Sequence, residues 1–261
     1  MYLDYWGFRE KPFENTPNPR FMYPSKQHRE GLRKLLYAIT EGKGCALLTG
    51  EYGCGKTHLI RTLVRNLDSK DFEVGIINCP IFDAKEFLDE ILYQFGHEEI
   101  PGTRLECFRE LSSIFYDNVA EGRTNVLVID EAQIIDEPEV YEELRLLLNI
   151  QLEDRFLLNI QLVGQPELLQ HVERYPQLDQ RIAVKIHLEP FDRQDTGDYI
   201  KYRLEMTGGE KDIFSDASLF LIHKISGGVP RRINNICDLC LLEGADQRVK
   251  RITEKVIKQV V

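Results

Sequence analysis

No stretch of this sequence is both long and apolar enough to cross a bilayer. The amino terminus, Met-Tyr-Leu-Asp-Tyr-Trp-Gly-Phe-Arg-Glu, lacks the basic flank and apolar segment of a signal peptide. The chain is therefore expected to carry no leader and to make no membrane insertion of its own. An excess of positive charge is missing as well. With 33 Lys and Arg against 43 Asp and Glu, the net charge is −10, so no whole-molecule field collects nucleic acid or anionic lipid, and such a contact would need a local basic patch. The six cysteines (Cys45, Cys54, Cys79, Cys107, Cys237, Cys240) lie in apolar stretches and one glycine turn. Without a framework of short loops they exclude a disulfide scaffold and fit a reducing, cytoplasmic setting. Repeats and low-complexity tracts are absent. What is there is ordinary globular composition: 43% apolar and 29% charged over 261 residues, enough for one large domain, or a large and a small one, with a substantial core.

Residues 1–25 hold Pro12, Pro17, Pro19 and Pro24, each of which removes a backbone donor and restricts its predecessor, so regular structure is not expected there. The interleaved Tyr5, Trp6, Phe8, Phe13, Phe21 and Tyr23 predict an ordered strap packed on other structure. From Ser25, a predicted helix cap, helical and short apolar strand patterns alternate, the signature of a parallel α/β sheet. Five strands are predicted at 45–49, 74–78, 126–130, 158–163 and 184–188, separated by helices at 56–67, 84–95, 104–120, 138–151 and 166–173. An open, doubly wound sheet built this way has its site at the carboxyl ends of the strands. After Pro190 the strand pattern stops. Helices near 192–207, 215–225, 229–244 and 253–260 predict a small helical lid domain over 191–261, following an α/β domain over 26–190. Residues 191–261 carry 12 basic and 11 acidic side chains, so the negative balance belongs to the rest.

The strongest chemical signal is Gly50-Glu51-Tyr52-Gly53-Cys54-Gly55-Lys56-Thr57, which fits G-x-x-x-x-G-K-[ST] between a predicted strand and a predicted helix. Such a loop turns successive backbone N–H groups around phosphate oxygens at a helix amino end. Lys56 would reach the outer phosphates and Thr57 would offer its hydroxyl to Mg²⁺. His58 closes the stretch expected to bind nucleotide. By composition the fixed positions match in about one chain of this length per hundred, and the strand–loop–helix context makes accident rarer still. Val126-Leu127-Val128-Ile129-Asp130-Glu131 is an apolar strand ending in two acids, whose charge needs a partner. Asp130 is expected to hold the metal and Glu131 to polarise the attacking water.

A glutamate directly after the metal-holding aspartate resembles P-loop NTPases with a catalytic glutamate, in which a further strand lies between the loop-bearing and acid-bearing ones. Strand 158–163 is the candidate, and Gln165 after it either hydrogen-bonds the γ-phosphate or orients water, or is only a turn residue before a helix at Pro166. Arg181, before the last strand, is either an arginine finger for a neighbouring subunit or a surface ion pair. Arg231, after Pro230 in the first turn of a helix, either reaches back to the phosphates or is surface charge. Together, Asp130-Glu131, Gln165, Arg181 and Gly228-Val229-Pro230-Arg231 resemble the Walker B, sensor 1, arginine-finger and sensor 2 elements of AAA+ ATPases. Tyr5-Trp6-Gly7-Phe8 with Pro12-Phe13, Leu47-Leu48-Thr49-Gly50-Glu51, Asp130-Glu131-Ala132-Gln133, Val163-Gly164-Gln165-Pro166-Glu167-Leu168 and Leu178-Asp179-Gln180-Arg181 narrow this to similarity with the ExeA-like (general secretion pathway protein A) ATPases, over nearly the whole chain.

That resemblance implies a P-loop NTPase fold, ATP and Mg²⁺ as ligands, self-association as a ring or filament, and secretion or pilus-type envelope machinery as partner at the inner face of the membrane. ExeA-like proteins typically continue into a membrane span and a peptidoglycan-binding region. Neither occurs up to Val261, so a part of a longer protein and a stand-alone relative both remain open. Transposition ATPases of the TniB and MuB kind share much of the motif set, which keeps DNA as an alternative ligand. A nucleotide-gated scaffold with negligible turnover is a third reading. Weaker signals are the C-x-x-C of Cys237 and Cys240, expected to be core; Cys79-Pro80-Ile81-Phe82, which lines a ring's pore or packs in the core; and the cations Arg248, Lys250, Arg251, Lys255 and Lys258, which face DNA or only solvent.

Overall fold

A computed structural model gives the fold and describes residues 2–16, 18–153 and 155–261; of the strap's prolines, Pro17 lies outside these. In chain order the elements are α1 (Leu3–Trp6), a 3₁₀ turn (Pro19–Phe21), α2 (Lys26–Thr40), β1 (Cys45–Gly50), α3 (Lys56–Arg65), β2 (Phe72–Asn78), α4 (Ala84–Gln94), α5 (Arg104–Ala120) and β3 (Thr124–Asp130). A second 3₁₀ turn (Ala132–Ile134) is followed by α6 (Pro138–Leu147), β4 (Leu158–Gly164), α7 (Glu167–Glu173), α8 (Pro176–Asp179) and β5 (Ile182–Leu188). Then come α9 (Arg193–Met206), α10 (Asp216–Ser226), α11 (Pro230–Asp246) and α12 (Glu254–Val260). Two compact units result, one of Arg29–Gly50 and Leu59–Leu188, the other of Met1–His28, Glu51–His58 and Glu189–Val261.

The first unit carries the sheet, five strands in the order β2-β3-β4-β1-β5, every neighbouring pair parallel. β1, β3 and β4 read as continuous apolar runs because both faces of a parallel sheet are covered, and nearly every residue in them is buried. β5 is an edge strand and alternates instead, with Ile182, Ile186 and Leu188 buried and Ala183, Lys185 and His187 exposed. β4 lies between β1 and β3, the place expected for the strand before Gln165. The register pairs Thr49 with Gly164 and Ile129 with Leu162, so Gly50, Asp130 and Gly164 come to one edge of the sheet. Helices α4 and α5 begin with reciprocal capping boxes, Asp83 with Glu86 and Thr103 with Glu106, each a stabilisation of about 1 kcal/mol.

Two expectations need correction. The prolines of the strap exclude long elements but not single turns: α1 forms ahead of Pro12 and is ended by Gly7 in the left-handed region (φ 72°), and Asn18 accepts the N–H of Arg20 to start the 3₁₀ turn. Helix α6 stops at Leu147 rather than 151, because the chain doubles back through an antiparallel bridge between Gln151 and Phe156 while Leu157 donates to the Ile150 carbonyl at 3.0 Å.

In the second unit Tyr2, Phe8 and Phe13 share one core with Phe191, Tyr199, Leu204, Ile233 and Cys237. Trp6 donates its indole N–H to the Leu241 carbonyl at 2.9 Å, and Tyr5 its hydroxyl to that of Val249 at 2.8 Å. Burial of Phe8 and Phe13 in this core contributes roughly 1.5–3 kcal/mol each. Cys237 and Cys240 are buried in this core, where desolvation pushes both thiols up. No helix among the described residues is long and apolar enough to cross a membrane.

Candidate functional site

The phosphate-loop residues leave β1 at Gly50 and end at Lys56, the first residue of α3. Gly53 and Gly55 stand at φ +86° and +98°, conformations that L side chains resist, and the loop runs directly into the amino end of α3, the kind of position where backbone N–H groups can receive an anion. Lys56 is nearly buried and lays its ammonium across the loop, donating to the Glu51 carbonyl at 3.2 Å. Thr57 sits in the first turn of α3. Cys54 is fully buried, and its thiol is pushed up to about 11 chiefly by burial, with the Lys56 charge opposing the shift; it is an inert filler of the loop. His58, expected among the nucleotide-binding residues, has its Nε2 on the Asn18 carbonyl at 2.6 Å.

Two side chains outside the motif brace this loop. His28 is buried with Nε2 at 3.2 Å from the Cys54 carbonyl and Nδ1 at 2.8 Å from the Ser25 hydroxyl. A carbonyl only accepts, so Nε2 carries the hydrogen and Nδ1 receives the one from Ser25. Arg231, in the first turn of α11, donates from Nη1 to the Tyr52 hydroxyl, and its guanidinium carbon lies 4.6 Å from the centre of the Tyr52 ring. Its backbone N–H reaches the Gly53 carbonyl at 3.3 Å. The arginine expected to approach the phosphates is thus anchored on the phosphate loop itself.

At the sheet edge, Asp130 ends β3 nearly buried and accepts the N–H of Glu131 on Oδ1 at 2.9 Å. Glu131 adopts a left-handed conformation (φ 54°, ψ 34°), a backbone cost of order 1 kcal/mol in a non-glycine residue. Gln133 joins it to the end of β4: its Nε2 donates to Glu131 Oε2 at 2.7 Å, and its Oε1 accepts the N–H of Gln165 at 3.0 Å. The structure thus brings Asp130, Glu131 and the Gln165 backbone into one hydrogen-bonded group. Thr57 and Asp130 offer hard oxygen donors, the donor type that suits Mg²⁺. Arg181 donates from Nη1 to the Leu148 carbonyl at the end of α6 at 3.0 Å and from Nη2 to Asn149 Oδ1, and it forms no ion pair among the described residues. Ile81 is 73% exposed, whereas Phe82 packs partly buried against the core, and the five cations between Arg248 and Lys258 are all exposed.

In the sequence Gln133 has a place in the Asp130-Glu131-Ala132-Gln133 resemblance but no role, and His28 has neither. Ser25, three residues before His28, signals only a helix cap, and both side chains acquire their partners only through the fold.

A family model described as AAA domain matches residues 39–172. General secretion pathway protein A of Aeromonas hydrophila is 38% identical over 247 residues, which are 93% of this chain and 44% of that protein. The chain therefore spans less than half of that relative's length. Among solved structures, the Aeropyrum pernix ORC2 protein in its ADPNP–ADP complexes superposes with a TM-score of 0.73 at 19% identity, over 97% of this chain and 72% of that one. Drosophila ORC bound to DNA gives 0.68 at 18%, covering 97% and 65%. The Thermotoga maritima RuvB Holliday junction branch migration motor gives 0.60 at 19%, covering 89% and 68%. At these identities the structures share the fold.

Proposed function

The chain belongs to the AAA family, in its ExeA-like branch, and from that membership we propose that it is a Mg²⁺-dependent ATP hydrolase acting as an oligomeric switch or motor in the assembly of secretion or pilus-type envelope machinery. The observation that carries the hydrolase reading is the phosphate loop, in which Gly53 and Gly55 hold positive φ between the end of a buried strand and the start of a helix. In this reading the loop amides and Lys56 bind the β- and γ-phosphates, and Arg231 closes on them from the first turn of α11. Thr57 and Asp130 would hold Mg²⁺, which when bound would screen the phosphate charges. Glu131 accepts a proton from the attacking water, and Gln165 orients the γ-phosphate.

The lid helices would then change position with the nucleotide state and alter the contacts offered to a partner. Arg181 serves a neighbouring subunit, which requires it to leave the Leu148 carbonyl. The secretion assignment rests on likeness to general secretion pathway protein A, and DNA as ligand rests on a stretch of exposed cations and on the motif set shared with transposition ATPases. In a phosphate-release assay Glu131→Gln is expected to lower kcat by a factor of about 10² or more while ATP still binds, because the amide cannot take the proton. An unchanged rate would remove Glu131 from its role.

A further inference from the structure

Gln133 makes two hydrogen bonds that no other side chain of its length class could make together. A carboxylate only accepts and a backbone N–H only donates, so the amide orientation is fixed by its partners: nitrogen toward Glu131, oxygen toward Gln165. The amide can enter the end of β4 because residue 164 has no side chain. A Cβ on Gly164 would lie 2.6 Å from Gln133 Oε1 and 2.8 Å from Leu168 Cδ2, closer than such atoms approach, and 3.2 Å from the Gln133 backbone N, a tight contact. Gln133 itself is held in the 3₁₀ turn that follows the left-handed Glu131, where Ile134 donates to the Glu131 carbonyl at 3.0 Å. One oxygen of the Glu131 carboxylate is thus tied, and among the described residues the other has no protein partner.

We infer that Gln133 is a positioning residue for the reaction: it aims the free oxygen of Glu131 and fixes that carboxylate to the turn that bears Gln165, so that base and γ-phosphate contact are placed as one unit. The inference rests on the reading of Glu131 as the residue that activates water. Its physical basis is that a catalytic group must be held to within a fraction of an ångström, and a misplacement of about 1 Å can cost 10²-fold in rate. Alanine at 133 frees the carboxylate of a strained residue to rotate. Glutamate keeps the shape, but its carboxylate replaces the donor with a charge of the same sign. Asparagine is one methylene too short to span both partners.

The test is the steady-state and single-turnover hydrolysis of Mg–ATP by the intact chain. Gln133→Ala and Gln133→Glu are each expected to lower kcat about 10- to 100-fold with KM for ATP changed less than about twofold, and Gly164→Ala to reproduce that pattern by crowding the amide out. In a Glu131→Gln background, Gln133→Ala should add almost nothing, since a residue acting through Glu131 has nothing left to position. If Gln133→Ala hydrolyses at the wild-type rate while Glu131→Gln does not, the inference fails alone. If the two losses multiply, Gln133 is only packing and the inference fails. Wild-type turnover by Glu131→Gln overturns the underlying reading as well. Should Gln133→Ala not fold, the near-isosteric Gln133→Glu decides, its folding checked by thermal unfolding.

Discussion

His28 shows how a single side chain can tie stability to pH. Burial lowers its pKa from the ordinary 6.5 to about 4, the hydrogen bond to the Cys54 carbonyl opposing the shift in part and the nearby His58 adding to it. Between those two values the unfolded chain binds a proton that the folded chain refuses, so stability rises with pH across the window. The contribution of neutral His28 is complete above about 6.5 and is lost as pH falls toward 4, by up to about 3 kcal/mol. His28→Gln, which cannot titrate, should therefore show a shallower fall in Tm between pH 6.5 and 4 than the wild type. Parallel Tm profiles would contradict this assignment. At this scale the motif residues 50–57, Asp130 and Glu131 were legible because their chemistry demands fixed types at fixed spacing. The braces were not, since His28 and Gln133 gain meaning from the carbonyl, carboxylate and amide that the folded chain sets beside them.

Among the elements, the phosphate loop and the first turn of α11 depend on one another. A Cβ on Gly53, besides the strain of φ +86°, would stand 2.9 Å from Arg231 Cβ and 3.1 Å from Val229 Cγ1. Gly53→Ala must therefore either flatten the loop or push the helix start away. It is expected to weaken ATP binding by a factor of ten or more, equivalent to about 1.4 kcal/mol, measured by nucleotide titration; affinity within twofold of wild type would show that the loop tolerates the side chain. The five strands were readable to within two residues at each end, because buried parallel strands are short apolar runs bounded by breakers. The end of α6 was not. Its leucine-rich pattern continues through Leu148, and only the bridge from Gln151 to Phe156 shows where helical hydrogen bonding gives way to a reversal.

For the whole molecule, the α/β fold followed by a helical segment was legible from the change of period after Pro190, whereas the strand order was only partly so. Sequence placed the Gln165 strand between the loop-bearing and acid-bearing ones through a resemblance, and nothing in the sequence could put β2 and β5 at opposite edges, which follows from crossover geometry. Assembly is the property that one chain cannot display by itself. If Arg181 acts in a neighbour's site, Arg181→Ala should be inactive alone and regain part of its activity when mixed with Lys56→Ala, which binds no nucleotide productively but still supplies an arginine. Absence of any recovery in the mixture would confine Arg181 to its own chain, where it caps the carbonyl end of α6.

All of these roles presuppose that residues 50–57 enclose the phosphates of a nucleotide. Calorimetric titration of the purified chain with Mg–ATP addresses this most directly: the wild type should bind one nucleotide per chain and Lys56→Ala should bind at least about tenfold more weakly. Equal affinity in the two proteins, or no heat of binding in either, would contradict the account.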